Sequence, residues 1–203
     1  MLTALSDKHI FGLLKSRKLI IHPLLSRKQI SGGRIDLRLD NVFYIIRRFE
    51  KPVYDPTDYI GPETPKPYGE TYVIPYGDRF FLHPGMYVLA PLFEFVEIPK
   101  NILGRLDGRS SLGRLGVLVH STAGSVDPGY RGSLVIELMN GGMFPIALYP
   151  LMRVATLALI QLSSDAKYPY EGKYGGIDDF PGAESRLHKD KELPTILEMK
   201  RAT

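Results

Sequence analysis

The rhythm of apolar and polar positions along this chain changes near residue 19. Ahead of it, in "SDKHIFGLLKSRKL" (6–19), Ile10, Leu13 and Leu14 recur at the spacing of one helix face, and Ser6 is placed to cap the first turn. After it, apolar residues come in short β-rich runs bounded by Gly, Pro, Asn and Asp. These are "LIIHPLL" (19–25), "RIDLRLDNVFYIIRRF" (34–49), "MYVLAPLFEFVEIP" (86–99), "LGVLVHS" (115–121), "GSLVIELMN" (132–140) and "RVATLALIQL" (153–162). None alternates with a long helical pattern, which argues against a parallel sheet of βαβ units. The expected fold is mainly β: an antiparallel sandwich or jelly roll with one or two peripheral helices.

Two segments depart from this pattern. Residues 52–69, "PVYDPTDYIGPETPKPYG", hold five prolines and three tyrosines and read as an ordered surface excursion or an interaction arm, not a linker between domains. From about Asp165 to residue 203 the chain is polar and rich in Gly and Tyr, which reads either as a disordered tail or as a flexible one that closes over a ligand. No repeat of fixed period is present, and the 203 residues are expected to form one domain.

Composition mainly excludes. Hydrophobic content of 44% and charged content of 24% are ordinary for a soluble globular protein. No stretch approaches the roughly 18 apolar residues of a membrane span. The first residues show no long apolar region followed by a small-residue cleavage site, so no secretory signal is expected. The absence of cysteine removes disulfides, thiolate nucleophiles and cysteine-ligated zinc, and fits a cytoplasmic location. A net charge of +4 permits an anionic partner but is too small to argue for nucleic acid.

Three stretches carry candidate chemistry. "GRSSLGRLGV" (108–117) places two arginines, two serines and three glycines in ten positions. Arg109 and Arg114 offer forks that suit phosphate oxygens, and Ser110 and Ser111 offer hydroxyls, although the same residues also make a solvated turn. In "STAGSVDPGYRG" (121–132), Asp127 and Tyr130 can face one small ligand across a hairpin, or the aspartate can bond its own backbone. In "SLVIELMN", strand alternation sets Glu137 on one face with Val135 and Met139. A glutamate among apolar neighbours is costly unless paired or neutral, an environment that suits a proton carrier; the other reading is a half-exposed sheet face. Ser110, His120 and Asp127 include the residue types of a catalytic triad, but "GRSSL" is not a G-x-S-x-G elbow. The histidines at 9, 22, 83, 120 and 188 have no paired spacing, so no metal site is expected, and His120 reads as a structural hydrogen-bonder.

"LDGRSSLGRLGVLVH" (106–120) followed by "TAGSVDPGYRGSLVIEL" (122–138) closely resembles the dCTP deaminases, relatives of the trimeric dUTPases. "GRIDLRLDN" (33–41), "FLHPG" (81–85), "KY" (173–174) and "ESR" (184–186) extend the resemblance over roughly residues 5–190. It implies a dUTPase-like distorted jelly roll and metal-independent hydrolytic deamination of dCTP to dUTP and ammonia, feeding dUMP and dTTP synthesis. By that resemblance Glu137 is the acid/base residue, Ser110 and Arg114 flank it, and a carbonyl near Ala123 positions the water. Arg109 and Ser111 would contact phosphates, Asp127 the sugar 3′-hydroxyl, Tyr130 the deoxyribose face, and Lys173 and Tyr174 the phosphates from the tail. Mg2+ would come with the triphosphate as its counterion, zinc would not be used, and the enzyme would be a homotrimer with sites between subunits. No nucleic acid or membrane partner is implied.

Three departures from the family pattern matter, and the first keeps a second activity open. Gly124 and Ser125 stand where many single-function deaminases carry a basic pair, and "TAG" is shared with dUTPases and bifunctional archaeal enzymes. Thr156 replaces the glutamine of a dUTPase-like R-I-A-Q-L stretch, and Ile177 stands near an expected tail glutamine. The alternatives are a bifunctional deaminase/dUTPase or plain dUTPase giving dUMP and pyrophosphate, and, from another class, a non-catalytic nucleotide-binding protein.

Overall fold

The computed structural model describes residues 3–47, 53–56, 69–174 and 185–190. Most of the 52–69 excursion and most of the tail beyond Tyr174, including Ile177, lie outside the described residues.

The first helix, α1 (Asp7–Lys15), starts after Ser6 but ends at Lys15, short of the expected Leu19. Arg17 takes a left-handed conformation (φ 56°), and the N–H groups of Arg17 and Lys18 bond back to the carbonyls of Leu14 and Leu13. That paired closure terminates the helix and frees Ile20–His22 to become a strand. Ser6 makes no side-chain cap; its hydroxyl lies 3.0 Å from His9 Nδ1 instead.

Two antiparallel sheets form the body. Sheet one runs β11 (Ser125–Val126), β9 (Ile102–Gly108), β14 (Arg153–Gln161), β4 (Arg34–Arg38), β3 (Ile30–Ser31), with β1 (Thr3–Ala4) also on β14. Sheet two runs β10 (Val117–Leu118), β12 (Arg131–Asn140), β8 (Tyr87–Glu97), β5 (Val42–Ile46), β6 (Gly69–Val73), with β2 (Ile20–His22) on β8. A two-stranded sheet pairs β7 (Phe80–Leu82) with β13 (Ile146–Leu148). The expected β-rich architecture is therefore present. The run at 34–49 splits into β4 and β5 in different sheets, because Leu39 and Asp40 turn their N–H groups to Met152 and Pro91. The run at 115–121 yields only the short β10.

The core lies between the sheets, where Ile35, Leu37, Phe43, Leu92, Ile136 and Leu138 are fully buried. Phe43 stacks on Phe80 at 4.2 Å. One carboxyl group sits among them. Glu94, on β8, is fully buried; its carboxylate accepts from Gln29 Nε2 and from the Arg38 backbone N–H, both at 2.8 Å. Since Gln29 and Arg38 border or belong to sheet one, this carboxylate ties the two layers together. Burial pushes its pKa above the ordinary value near 4.5, against the pull of those hydrogen bonds. Among the described residues no helix is long and apolar enough to cross a membrane.

Candidate active site

A cavity of about 520 Å3 opens on the outer face of sheet two. Alternation along β12 buries Leu134, Ile136 and Leu138 and turns Val135, Glu137 and Met139 the other way. Across the ladder, Leu89 stands opposite Glu137 and Tyr87 opposite Met139, so Glu137 rises from an apolar floor. One carboxylate oxygen, Oε2, accepts from the Ser121 N–H at 2.8 Å. The other makes no hydrogen bond among the described residues.

The wall comes from the segment that crosses between the sheets, from Ser121 to β11. Leu106 donates its N–H to the Gly124 carbonyl at 2.7 Å and draws this segment against β9. Position 124 is tight: a Cβ there would lie 3.0 Å from the Leu106 carbonyl oxygen and 3.1 Å from His120 Cε1. His120 lines the cavity, and its Nδ1 is buried without a hydrogen-bond partner among the described residues.

The turn from Asp127 to Tyr130 closes the rim. Gly129 takes φ +85°, and a Cβ on it would meet Pro169 at 2.8 Å, so glycine lets the 168–174 segment dock here. Tyr130 is buried, donates its hydroxyl to the Ser133 carbonyl at 3.0 Å and meets the Tyr170 ring at 5.3 Å. That burial, with Tyr170 beside it, pushes the Tyr130 phenol well above its ordinary pKa. The docked segment is tied down further: Tyr170 Oη accepts from the Tyr174 N–H at 3.1 Å, and Tyr174 Oη accepts from the Arg186 N–H at 3.0 Å.

The structure thus brings Ala123, Asp127, Tyr130, Glu137 and Tyr174 to one cavity. It does not bring Arg109, Ser110, Ser111, Arg114 or Lys173 there within one chain. Arg109 N-caps the short helix α2 (Ser110–Gly113) at the end of β9 and pairs with Asp36 at 3.1 Å. Ser110, Ser111 and Arg114 are exposed on that turn, and Lys173 pairs with Asp190. Sequence reading passed over Tyr170, Tyr87 and Ser133, which also line the cavity. Only Tyr170 had a visible signal, as an aromatic in the Gly/Tyr-rich tail. Among the described residues no cluster of three or more His, Asp or Glu side chains could hold a metal ion.

A family profile described as dCTP deaminase-like matches residues 4–162. The chain is 44% identical to a protein of Dictyoglomus turgidum named dCTP deaminase, dUMP-forming, over 84% of this chain and 87% of that one. It is 38% identical to a dCTP deaminase of Haemophilus influenzae, over 93% and 99% of the two chains. Its fold matches the crystal structure of 2′-deoxycytidine 5′-triphosphate deaminase from Agrobacterium tumefaciens with a TM-score of 0.62 at 22% identity. That match covers 79% of this chain, which spans about half (48%) of the Agrobacterium chain.

Proposed function

The chain belongs to the dCTP deaminase-like family, and on that premise we propose that its cavity receives the base and deoxyribose of dCTP and exchanges the cytosine amino group for oxygen from water. The observation that carries this reading is Glu137: an anchored carboxylate on an apolar floor, lining a space of nucleoside size. Glu137 takes a proton from water as the water oxygen attacks C4. It passes that proton to N3, then delivers the second proton to the amine, which leaves as ammonia; dCTP and water become dUTP and ammonia. The Ala123 carbonyl orients the water, Asp127 accepts from the sugar 3′-hydroxyl, and the buried Tyr130 ring packs on the deoxyribose where a 2′-hydroxyl would sit.

Arg109, Ser110, Ser111 and Arg114 join this chemistry from a neighbouring copy. A homotrimer, with each cavity completed by another chain's G-R-S-S turn, accounts for the separation of turn and cavity in one chain. Leu115, Leu118, Met143 and Phe144, exposed at the β10 edge and the adjoining turn, support such an apolar contact. Arg109 and Ser111 hold the triphosphate, Ser110 and Arg114 orient Glu137, and Lys173 and Tyr174 close from the tail. Mg2+ accompanies the triphosphate as its counterion, and a cytoplasmic nucleotide pool supplies the substrate.

A second activity, hydrolysis of the dUTP formed to dUMP and pyrophosphate, is favoured by Gly124. A Cβ at that position would press on the Leu106 carbonyl and His120, where many single-function deaminases carry the first of a basic pair, and the Dictyoglomus relative is named for dUMP formation. One experiment separates the readings: incubation with dCTP and Mg2+, quantifying ammonia, dUTP, dUMP and pyrophosphate. Ammonia with accumulating dUTP marks deamination alone, and ammonia with dUMP and pyrophosphate marks both steps. No ammonia overturns the deaminase reading.

A further inference from the structure

At the end of sheet one where β9 runs into the G-R-S-S turn, three arginines gather around too little negative charge. Asp36 Oδ2 accepts from Arg109 Nη1 and from Arg153 Nη1, both at 3.1 Å. The carboxylate is nearly buried, while 30% of each arginine side chain remains exposed. Register places them together. Gly108 stands opposite Ala155, which sets Arg153 beside the first residues of the turn, and on its other side Arg153 stands directly opposite Arg38.

Like charges paired across a ladder repel. Arg38 turns its Nη1 to the Leu151 carbonyl at 2.6 Å, leaves its Nε buried without a partner among the described residues, and has the buried Glu94 nearby. Arg114 adds a further exposed cation to the turn. Each guanidinium has five N–H donors, and Asp36 engages one from Arg109 and one from Arg153. Among the described residues no further hydrogen bond engages the remaining donors, which a shared anchor holds in place to meet an anion. Thr156, which replaces the glutamine of the dUTPase-like pattern, is turned to the Asp107 carbonyl at 3.4 Å. The cation that β14 presents here is Arg153.

We propose that Arg153 is a second polyphosphate-binding residue, forming with Arg109 a two-armed clamp on the substrate triphosphate, with Asp36 as the positioning residue that holds both arms. This rests on the reading that the G-R-S-S turn holds the triphosphate. Two forks on one anchor suit neighbouring phosphate groups, and holding them before the ligand arrives removes part of the ordering cost of binding.

The test is ammonia-release kinetics with dCTP for the wild type, Arg109→Ala, Arg153→Gln and Arg153→Lys, together with inhibition by inorganic tripolyphosphate and by dCMP. The expected result for Arg153→Gln is a KM for dCTP raised on the order of tenfold to a hundredfold, with kcat within a few-fold. Tripolyphosphate inhibition weakens in parallel and dCMP inhibition changes far less. Arg153→Lys falls between, because a point charge replaces a fork. An unchanged KM in Arg153→Gln, or equal losses toward dCTP and dCMP, overturns the proposal. If the glutamine variant shows no cooperative melt, the lysine variant decides by the same readouts. An unchanged KM in Arg109→Ala also overturns the proposal, by removing its premise, and is distinguishable because the fault then lies with the turn and not with Arg153 alone.

Discussion

Glu94 and Glu137 stand on paired strands, each between apolar neighbours, yet their surroundings differ in kind. Around Glu94 two donors close on the carboxylate and no solvent reaches it. Around Glu137, which lines a cavity, one donor among the described residues fixes one oxygen and leaves the other without a hydrogen bond. A fully satisfied buried carboxylate serves architecture, since any change in it strands its partners. A half-satisfied one at a cavity wall keeps a lone pair for a ligand at little cost to the fold.

The largest effect that follows is Glu137→Gln. Removing the proton carrier lowers ammonia release by about 10²–10⁴, while the melting temperature stays close to that of the wild type because the amide can still accept from the Ser121 N–H. A variant retaining a tenth or more of the wild-type rate would remove Glu137 from the chemistry. Next comes Glu94→Ala, which strands two buried N–H donors at about 1–3 kcal/mol each. A loss on the order of 3 kcal/mol is expected in urea unfolding, with ammonia release persisting in the fraction that stays folded.

The third effect is pH-dependent. The pKa of Glu94 is raised in the folded state, so its contribution to stability is fullest below the ordinary glutamate value and declines as pH rises through the raised one. The stability difference between wild type and Glu94→Gln, followed by thermal melts from about pH 4 to pH 8, should shift against the wild type as pH rises. A flat difference would mean that the carboxylate is no costlier buried than in water. The smallest is Tyr130→Phe, which removes one hydroxyl bond to Ser133 but keeps the ring and its contact with Tyr170. It should cost about 1 kcal/mol and leave KM for dCTP nearly unchanged; a large KM increase would give the hydroxyl a place in the ligand site.

Much of the cavity is legible in the sequence. Ala123, Asp127, Tyr130 and Glu137 fall within one short stretch of chain, where a turn and a strand bring them together locally. The Tyr170 contact was not legible, because it depends on the tail folding back onto Gly129. Nor was the Asp36 anchor, whose partners Arg109 and Arg153 are far from it in the chain and meet only where β9, β14 and β4 lie side by side. The early end of α1 turned on Arg17 entering a left-handed conformation that residues other than glycine seldom adopt.

Strand alternation, written in the order of residues, determined that Glu94 shares a face with Leu92 and Val96, and Glu137 with Val135 and Met139. Covalent geometry alone requires this, because successive side chains on an extended backbone point opposite ways. It leaves open which face meets the other sheet and what waits there. Only the packing of the two layers delivered Gln29 and the Arg38 N–H to Glu94, and only the crossing segment from Ser121 to β11 gave Glu137 one donor and a cavity. Partners distant in the chain decide a carboxylate's role, and tertiary structure chooses those partners.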